Sequence, residues 1–170
     1  MAVLTGQETS EELARLGPDI FQYYGLGCRN VSKLFVPEGY DFVPLLDSLQ
    51  PYEVVLNHHK YNNNYDYNKS ILLVNAVPHY DTGFLLLTRS AALVSPISVV
   101  HYTEYASEID LVDQLTDVAA QTQCVVSASG PPSSAATGPA WPCSPARKPA
   151  RSWPGWDRIF SSTTAWAAAT

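Results

Sequence analysis

Cys28 is the side chain in this sequence best suited to covalent chemistry. It sits in Gly25-Leu26-Gly27-Cys28-Arg29-Asn30, a turn whose two glycines permit positive φ and let the backbone crowd a ligand. Backbone N–H groups in such a turn can converge on an oxyanion, and Arg29 next door favours the thiolate over the thiol. A thiolate attacks carbonyl carbon, and a thioester intermediate divides one hard acyl transfer into two easier steps. Cys28 is therefore the candidate nucleophile, with Gly27, Arg29 and Asn30 shaping its oxyanion site. The competing reading is a buried structural cysteine, the ordinary state of a lone thiol.

The remaining polar residues offer weaker chemistry. His58-His59-Lys60 has two adjacent histidines, which cannot both reach one ion from a regular helix or strand. No carboxylate pair at ligand spacing accompanies them, so no metal site is expected. A polar surface loop or a helix start is the simpler reading. His79 and His101 flank a turn and a strand, Cys124 lies in an apolar run that reads as core, and Cys143 stands in a Pro-rich stretch as an incidental thiol. The Tyr and Asn excess over 61–68 could stack on bases, but it carries too little positive charge to hold nucleic acid.

The elements that must position Cys28 are punctuated clearly. Thr9 with Glu12 makes a capping box, Leu13 and Leu16 supply an apolar stripe, and Gly17-Pro18 is expected to stop that first helix. Leu34-Phe35-Val36 reads as a buried strand ended by Pro37-Glu38-Gly39. Phe42, Leu45, Leu46 and Leu49 recur at helical spacing before Pro51, and Leu111, Val112, Leu115 and Val118 form a second such stripe. Ile71-Leu72-Leu73-Val74, Phe84-Leu85-Leu86-Leu87 and Ile97-Ser98-Val99-Val100 are expected to be strands, as is Cys124-Val125-Val126. Strands mixed with crossover-length helices imply an α/β sheet covered on both faces.

The 170 residues, 46% apolar and 15% charged, suffice for about one domain with a real core. Their character changes near residue 128. Residues 1–127 hold six basic and fifteen acidic side chains, all ten tyrosines and every leucine. Residues 128–170 hold four basic and one acidic, all four tryptophans and seven of the thirteen prolines, with no Leu, Val, Tyr, Asn or Glu. No helical or strand period runs through this tail and its prolines forbid a continuous ladder, so it reads as loosely packed or disordered. Its origin is either a partner-binding tail or a lost coding frame. The net charge of −6 would repel phosphate backbones, which excludes nucleic acid as the expected partner. No apolar run approaches the eighteen residues of a membrane span. With no signal-peptide pattern at residues 1–4 and three widely spaced cysteines, the expected location is cytoplasmic.

The spacing after Cys28 carries a resemblance. Gly-Leu-Gly-Cys28, then Lys33-Leu34-Phe35-Val36 starting five residues later, then Tyr40-Asp41-Phe42, resembles the aldehyde dehydrogenase superfamily around its nucleophilic cysteine. The longer phrase from Asp19-Ile20-Phe21 through Lys33-Leu34-Phe35 is similar to the bacterial acyl-CoA reductases, relatives of the fatty acid reductase that supplies aldehyde to bacterial luciferase. Asn57-His58-His59-Lys60-Tyr61, Asn64-Tyr65-Asp66-Tyr67-Asn68-Lys69-Ser70, Gly83-Phe84-Leu85-Leu86-Leu87 and Ser95-Pro96-Ile97-Ser98-Val99-Val100 extend the likeness over about residues 2–127.

The resemblance implies reduction of a long-chain acyl-CoA to a fatty aldehyde by NADPH or NADH, through a thioester on Cys28. It implies a homo-oligomer, and places His59 or Lys60 near the thioester. The family is longer than this chain and the likeness starts in its middle, before which lies most of the dinucleotide-binding sheet. No Gly-X-Gly-X-X-Gly opens a helix here. The expected fold is thus the α/β catalytic lobe of an aldehyde dehydrogenase over 1–127, with the cofactor lobe mostly missing, followed by the tail of 128–170. The alternative is a truncated, non-catalytic remnant domain whose tail binds a partner.

Overall fold

A computed structural model describes residues 1–27, 30–122 and 124–128, and the backbone of 143–145. Cys28, Arg29 and nearly all of the tail lie outside the described residues, and with them the expectations placed there. The described chain is α/β. Strands β1 (Ala2–Val3), β2 (Lys33–Pro37), β3 (His79–Asp81), β4 (Leu86–Arg89), β5 (Val99–Tyr105), β6 (Val125–Ser127) and β7 (Cys143–Pro145) form one sheet in the order β3-β4-β5-β2-β1-β6-β7. Every pairing is parallel except β3 with β4. β7 carries the one described stretch of the tail into the sheet, beside β6.

Helices α1 (Ser10–Phe21), α2 (Val43–Leu49), α3 (His59–Val74) and α4 (Glu108–Val118) cover the sheet. Side chains alternate between faces along a strand. Ala2, Leu34, Val36, Leu87 and Val100 accordingly join Leu13, Leu16, Ile20, Leu45 and Leu49 in one core, while Val3, Phe35 and Val125 meet Leu111 and Leu115 of α4 on the other face. α3 lies toward the β4 end, where Tyr65 packs with Leu86 and Val99.

Two expectations are corrected. Gly17-Pro18 does not stop α1, which continues to Phe21 with Pro18 inside it. Pro18 removes one backbone donor at a typical cost of about 3 kcal/mol. Against this, the buried stripe Leu13, Leu16, Gly17, Ile20, Phe21 continues past the proline at strict i, i+3, i+4, i+7, i+8 spacing, and burying Ile20 and Phe21 is worth about 1.5–3 kcal/mol each. Ile71-Leu72-Leu73-Val74 is not a strand but the last turn of α3, with Leu73 and Val74 exposed. The stripe that decides this helix is Tyr61, Tyr65 and Asn68, whose polar tips hide its period from an apolar count. Each tip finds a partner: Tyr61 Oη donates to Phe84 O at 2.9 Å, Tyr65 Oη to Asp81 Oδ1 at 2.6 Å, and Asn68 Nδ2 to Ile97 O at 2.9 Å.

The capping box at Thr9 and Glu12 is present. Phe84-Leu85-Leu86-Leu87 and Ile97-Ser98-Val99-Val100 each run into a strand, β4 and β5, and both helical stripes form α2 and α4. His59 and Lys60 open α3, the helix start that their polarity allowed.

Candidate functional site

The chain leaves α1 through a short left-handed turn. Tyr23 and Tyr24 have φ of 53° and 59°, and Gly25 follows at 73°. An L-residue pays roughly 1–2 kcal/mol for this conformation, so two tyrosines in succession need compensation. Leu26 N donates to Tyr23 O at 3.1 Å, and Asn30 N donates to Gly27 O at 3.2 Å. Asn30 Nδ2 reaches back to Gly25 O at 2.8 Å, and Val31 N donates to Asp19 O at 2.8 Å. The segment is thereby closed on itself and tied back to α1 through Val31 before the chain enters β2. From the other side the Tyr24 ring stacks on His58, with centroids 4.0 Å apart and planes at 22°.

His58 has a second task. Its Nδ1 accepts from Tyr61 N at 3.3 Å and caps α3. The turn after α1 and the start of α3 are thus coupled through one imidazole. His59 and Lys60, by contrast, are exposed on the first turn of α3. Gly27 is described and its backbone faces the Tyr23 ring: a Cβ there would lie 3.6 Å from Tyr23 Cδ2.

Lys33 and His101 sit opposite each other in the β2–β5 register, on the sheet face between α3 and α4. Both are buried. Segment 90–98 passes over them, and side chains capture its carbonyls. Lys33 Nζ and Thr103 Oγ1 donate to Ser90 O, His101 Nδ1 lies 3.1 Å from Ala92 O, and Ser32 Oγ donates to Leu93 O at 2.8 Å. The segment itself is largely exposed, and these carbonyls are the partners that satisfy the polar tips of buried Lys33 and His101. Burial lowers the Lys33 ammonium to about 8. Burial also lowers the His101 imidazole, and the Lys33 charge pushes it the same way.

The Lys33 shift has a testable sign. The unfolded chain holds the Lys33 proton up to its ordinary pKa of 10.5 and the folded chain releases it at about 8, so in that window the unfolded state binds more protons. Unfolding free energy therefore gains from this group as pH rises from about 8 toward 10.5, and the full penalty of a buried cation stands below 8. Lys33→Met removes that gain. Ser90 O keeps Thr103 as a donor, so at pH 7 the variant should match the parent or exceed it by about 1 kcal/mol. Urea titrations at pH 7 and pH 9.5 check both points, and NMR of His101 should show its pKa rising in the variant.

One further pair looks catalytic and is not poised to act. Tyr65 and Lys69 stand at i, i+4 on α3, with Lys69 Nζ 3.3 Å from Tyr65 Oη. Burial, then donation to Asp81, push the Tyr65 phenol up, and Lys69 is itself tied to Asp81 at 2.7 Å. The trio clamps α3 to β3. Among the described residues no group of three or more His, Cys, Asp or Glu side chains is arranged to hold a metal ion, and no helix is long and apolar enough to cross a membrane.

The nicotinamide cofactor can be tested against the fold. A dinucleotide pyrophosphate sits at the loop following the carboxyl end of a parallel strand. The loop that follows β1 already holds an anion of its own: the Glu8 carboxylate accepts from Thr5 N, Thr5 Oγ1 and Gly6 N. A pyrophosphate would have to displace this carboxylate and then face it, so this loop does not fit NADPH or NADH.

Sequence reasoning found the turn through its glycines but missed Tyr24 and His58. The positive φ of two tyrosines has no signal in their residue type, and a ring stack across 34 positions leaves none in the spacing. Lys33 was visible as the basic residue five positions after Cys28, but its burial was not.

No protein-family profile matches the chain, and no curated protein does. Among solved structures, the chain is similar to the crystal structure of "a Putative Aldehyde Dehydrogenase from Burkholderia cenocepacia", with 15% identity and a TM-score of 0.48. The similarity covers 74% of this chain and 34% of that one, so the chain spans about a third of the neighbour's length.

Proposed function

We propose that this chain carries the acyl-transfer step of a long-chain acyl-CoA reductase of the aldehyde dehydrogenase type, with Cys28 as nucleophile. The observation that supports this reading is the strained left-handed turn at Tyr23, Tyr24 and Gly25, which leads directly into the Gly27-Cys28-Arg29-Asn30 phrase. Strain of this kind concentrates where a backbone must hold a reacting group.

In the proposed step the Cys28 thiolate attacks the thioester carbonyl carbon. A C–S bond to Cys28 forms, the C–S bond to coenzyme A breaks, and the CoA thiolate leaves with the electron pair. Arg29 favours the ionised nucleophile, and the N–H of Cys28 itself helps hold the oxyanion. The chain's own contribution is to bind the acyl group and hold the turn closed through Asn30. In the acyl-CoA reductases NADPH or NADH then supplies the hydride that releases the aldehyde; since the loop after β1 does not fit that group, no step of this chain is assigned to it.

Intact-mass spectrometry after incubation with palmitoyl-CoA tests the reading, with Cys28→Ala as control. The expected result is a single palmitoyl adduct that is lost in Cys28→Ala and retained in Cys124→Ala. A protein shown to be folded by near-ultraviolet circular dichroism that forms no adduct would be the non-catalytic domain instead.

A further inference from the structure

β4 and β5 are parallel neighbours, with Leu86 opposite Val99 and Arg89 opposite Tyr102, yet only residues 90–98 carry the chain from the end of one to the start of the other. Such a return usually takes a dozen or more residues and a helix. Here it is an irregular segment, and what it covers is polar. Thr88, His101 and Lys33 stand in one row across β4, β5 and β2, and all three are buried. The row separates the apolar cluster under α3, Leu86 with Val99, from that under α4, Phe35 with Leu111 and Leu115.

Both ends of the segment are anchored to the sheet. At one, Ser90 N donates to Tyr102 O at 3.1 Å. At the other, Ile97 packs on the main core, Asn68 Nδ2 donates to Ile97 O, and Leu86 N donates to Ser98 O at 2.8 Å. Ser98 has a φ of 66°, a left-handed bend that lets the chain turn into β5. Between the anchors Ala91, Ala92 and Val94 are exposed, and Leu93 and Ser95 are half-buried. Side-chain donors hold this middle down: His101 Nδ1 on Ala92 O and Ser32 Oγ on Leu93 O, with Lys33 Nζ and Thr103 Oγ1 on the adjoining Ser90 O. Opening exchanges each of these bonds for one with water at little net cost, whereas a charged group beneath the segment gains by being hydrated. We propose that residues 91–95 are a strap that opens between Ser90 and Ile97 when Lys33 and His101 take up protons, baring the row of donors beneath it. This device stands apart from the acyl-transfer reading and does not depend on it.

The strap itself carries no titratable side chain. From β2 the Phe35 ring faces Lys33 Nζ at 5.7 Å, and beside β2 the Met1 ammonium donates to Cys124 O. On β5, Tyr105 Oη donates to Leu4 O and Glu104 pairs with Arg89. On α3, Tyr65 and Lys69 are both tied to Asp81, and on α4 Asp110 is tied to Gln114 and Ala106 N. With the strap closed, burial holds the Lys33 ammonium at about 8, and burial with the Lys33 charge holds the His101 imidazole below 6.5. Hydration on opening returns the two toward 10.5 and 6.5. The open form therefore binds more protons, so opening becomes easier as pH falls from 10.5 to 8 and again as it falls through 6.5.

Brief digestion with proteinase K, resolved by mass spectrometry, reads the open population as cleavage within 91–95 relative to a free peptide of sequence 90–98 at the same pH. In the parent this relative rate should fall about tenfold from pH 7 to pH 9 and should rise from pH 7 to pH 5.5. At pH 7 it should also exceed cleavage within β2 and β5, which requires the whole sheet to open. Lys33→Met should lose the fall between pH 7 and pH 9. His101→Asn, which keeps an amide donor for Ala92 O, should retain that fall and lose the rise below pH 7. A relative rate in the parent that does not change with pH would overturn the proposal without recourse to any variant. So would the same fall in a folded Lys33→Met, or cleavage within 91–95 no faster than within β2 and β5, which would mark global unfolding in place of a strap.

Discussion

Phe84→Ala should lower the unfolding free energy by about 3–5 kcal/mol and the melting temperature by about 10 °C. Phe84 is 0% exposed. Its ring packs 5.7 Å from that of Phe21, which in turn stacks on Tyr52 at 5.0 Å. Truncation removes the ring that supports the last residue of α1 and leaves a void that rigid neighbours cannot fill. Tyr61 limits the collapse further, because its hydroxyl is held by the Phe84 carbonyl at 2.9 Å and its own ring is 2% exposed. Phe21 stands two residues before Tyr23, so the loss should reach the left-handed turn at Tyr23 and Tyr24 as well. Chemical denaturation measures the first effect and hydrogen exchange of the peptide spanning 20–27 the second. Phe84→Leu, which keeps most of the volume, should lose about a third as much stability; equal losses in both variants would show that the void is not the cause.

Gly17→Ala should destabilise by about 2 kcal/mol, although alanine is the better helix former by about 1 kcal/mol. A Cβ on Gly17 would lie 2.1 Å from Tyr52 Cε2 and 2.5 Å from Cζ, well inside van der Waals contact. Tyr52 cannot simply turn aside, since its ring is stacked on Phe21, and overpacking of a fixed ring typically costs 1–3 kcal/mol. The double variant Gly17→Ala/Tyr52→Ala isolates the clash. In the Tyr52→Ala background the Gly17→Ala change should become neutral or stabilising, giving a coupling of about 2 kcal/mol in a double-mutant cycle. A coupling near zero would show that Gly17 is there for another reason.

Gly17 also marks where the sequence misleads. Gly-Pro is a strong stop signal when only local preference is weighed, and α1 ignores it because Ile20 and Phe21 lie on the buried stripe and Tyr52 requires a residue without Cβ beside it. The α/β class, α2, α4, β2, β4, β5 and β6 were legible because apolar residues carry their periods. α3 was not, since its buried face is made of Tyr61, Tyr65 and Asn68, whose burial depends on hydrogen-bond partners on distant elements. β1 and β3 were too short to show a period. Of the site, the flexible glycine turn was legible. The stack beside it was not, because the pairing of Tyr24 with His58 exists only once the turn after α1 meets the start of α3.

The position of β1 bears on the order in which this fold can assemble. Two residues, Ala2 and Val3, join β2 at residues 34–35 to β6 at residues 126–127. During synthesis the β1 pairing to β2 can form early, whereas its other edge has no partner until the last described helix has been made. For most of that time the growing chain holds a half-sheet with a bare parallel edge, a state prone to pairing with another chain. Chain closure over more than a hundred residues is slow compared with the local steps that build α1 and α2. The same two-residue bridge is where opening should begin in the finished molecule, so amides of β6 should exchange before those of the β2–β5 ladder.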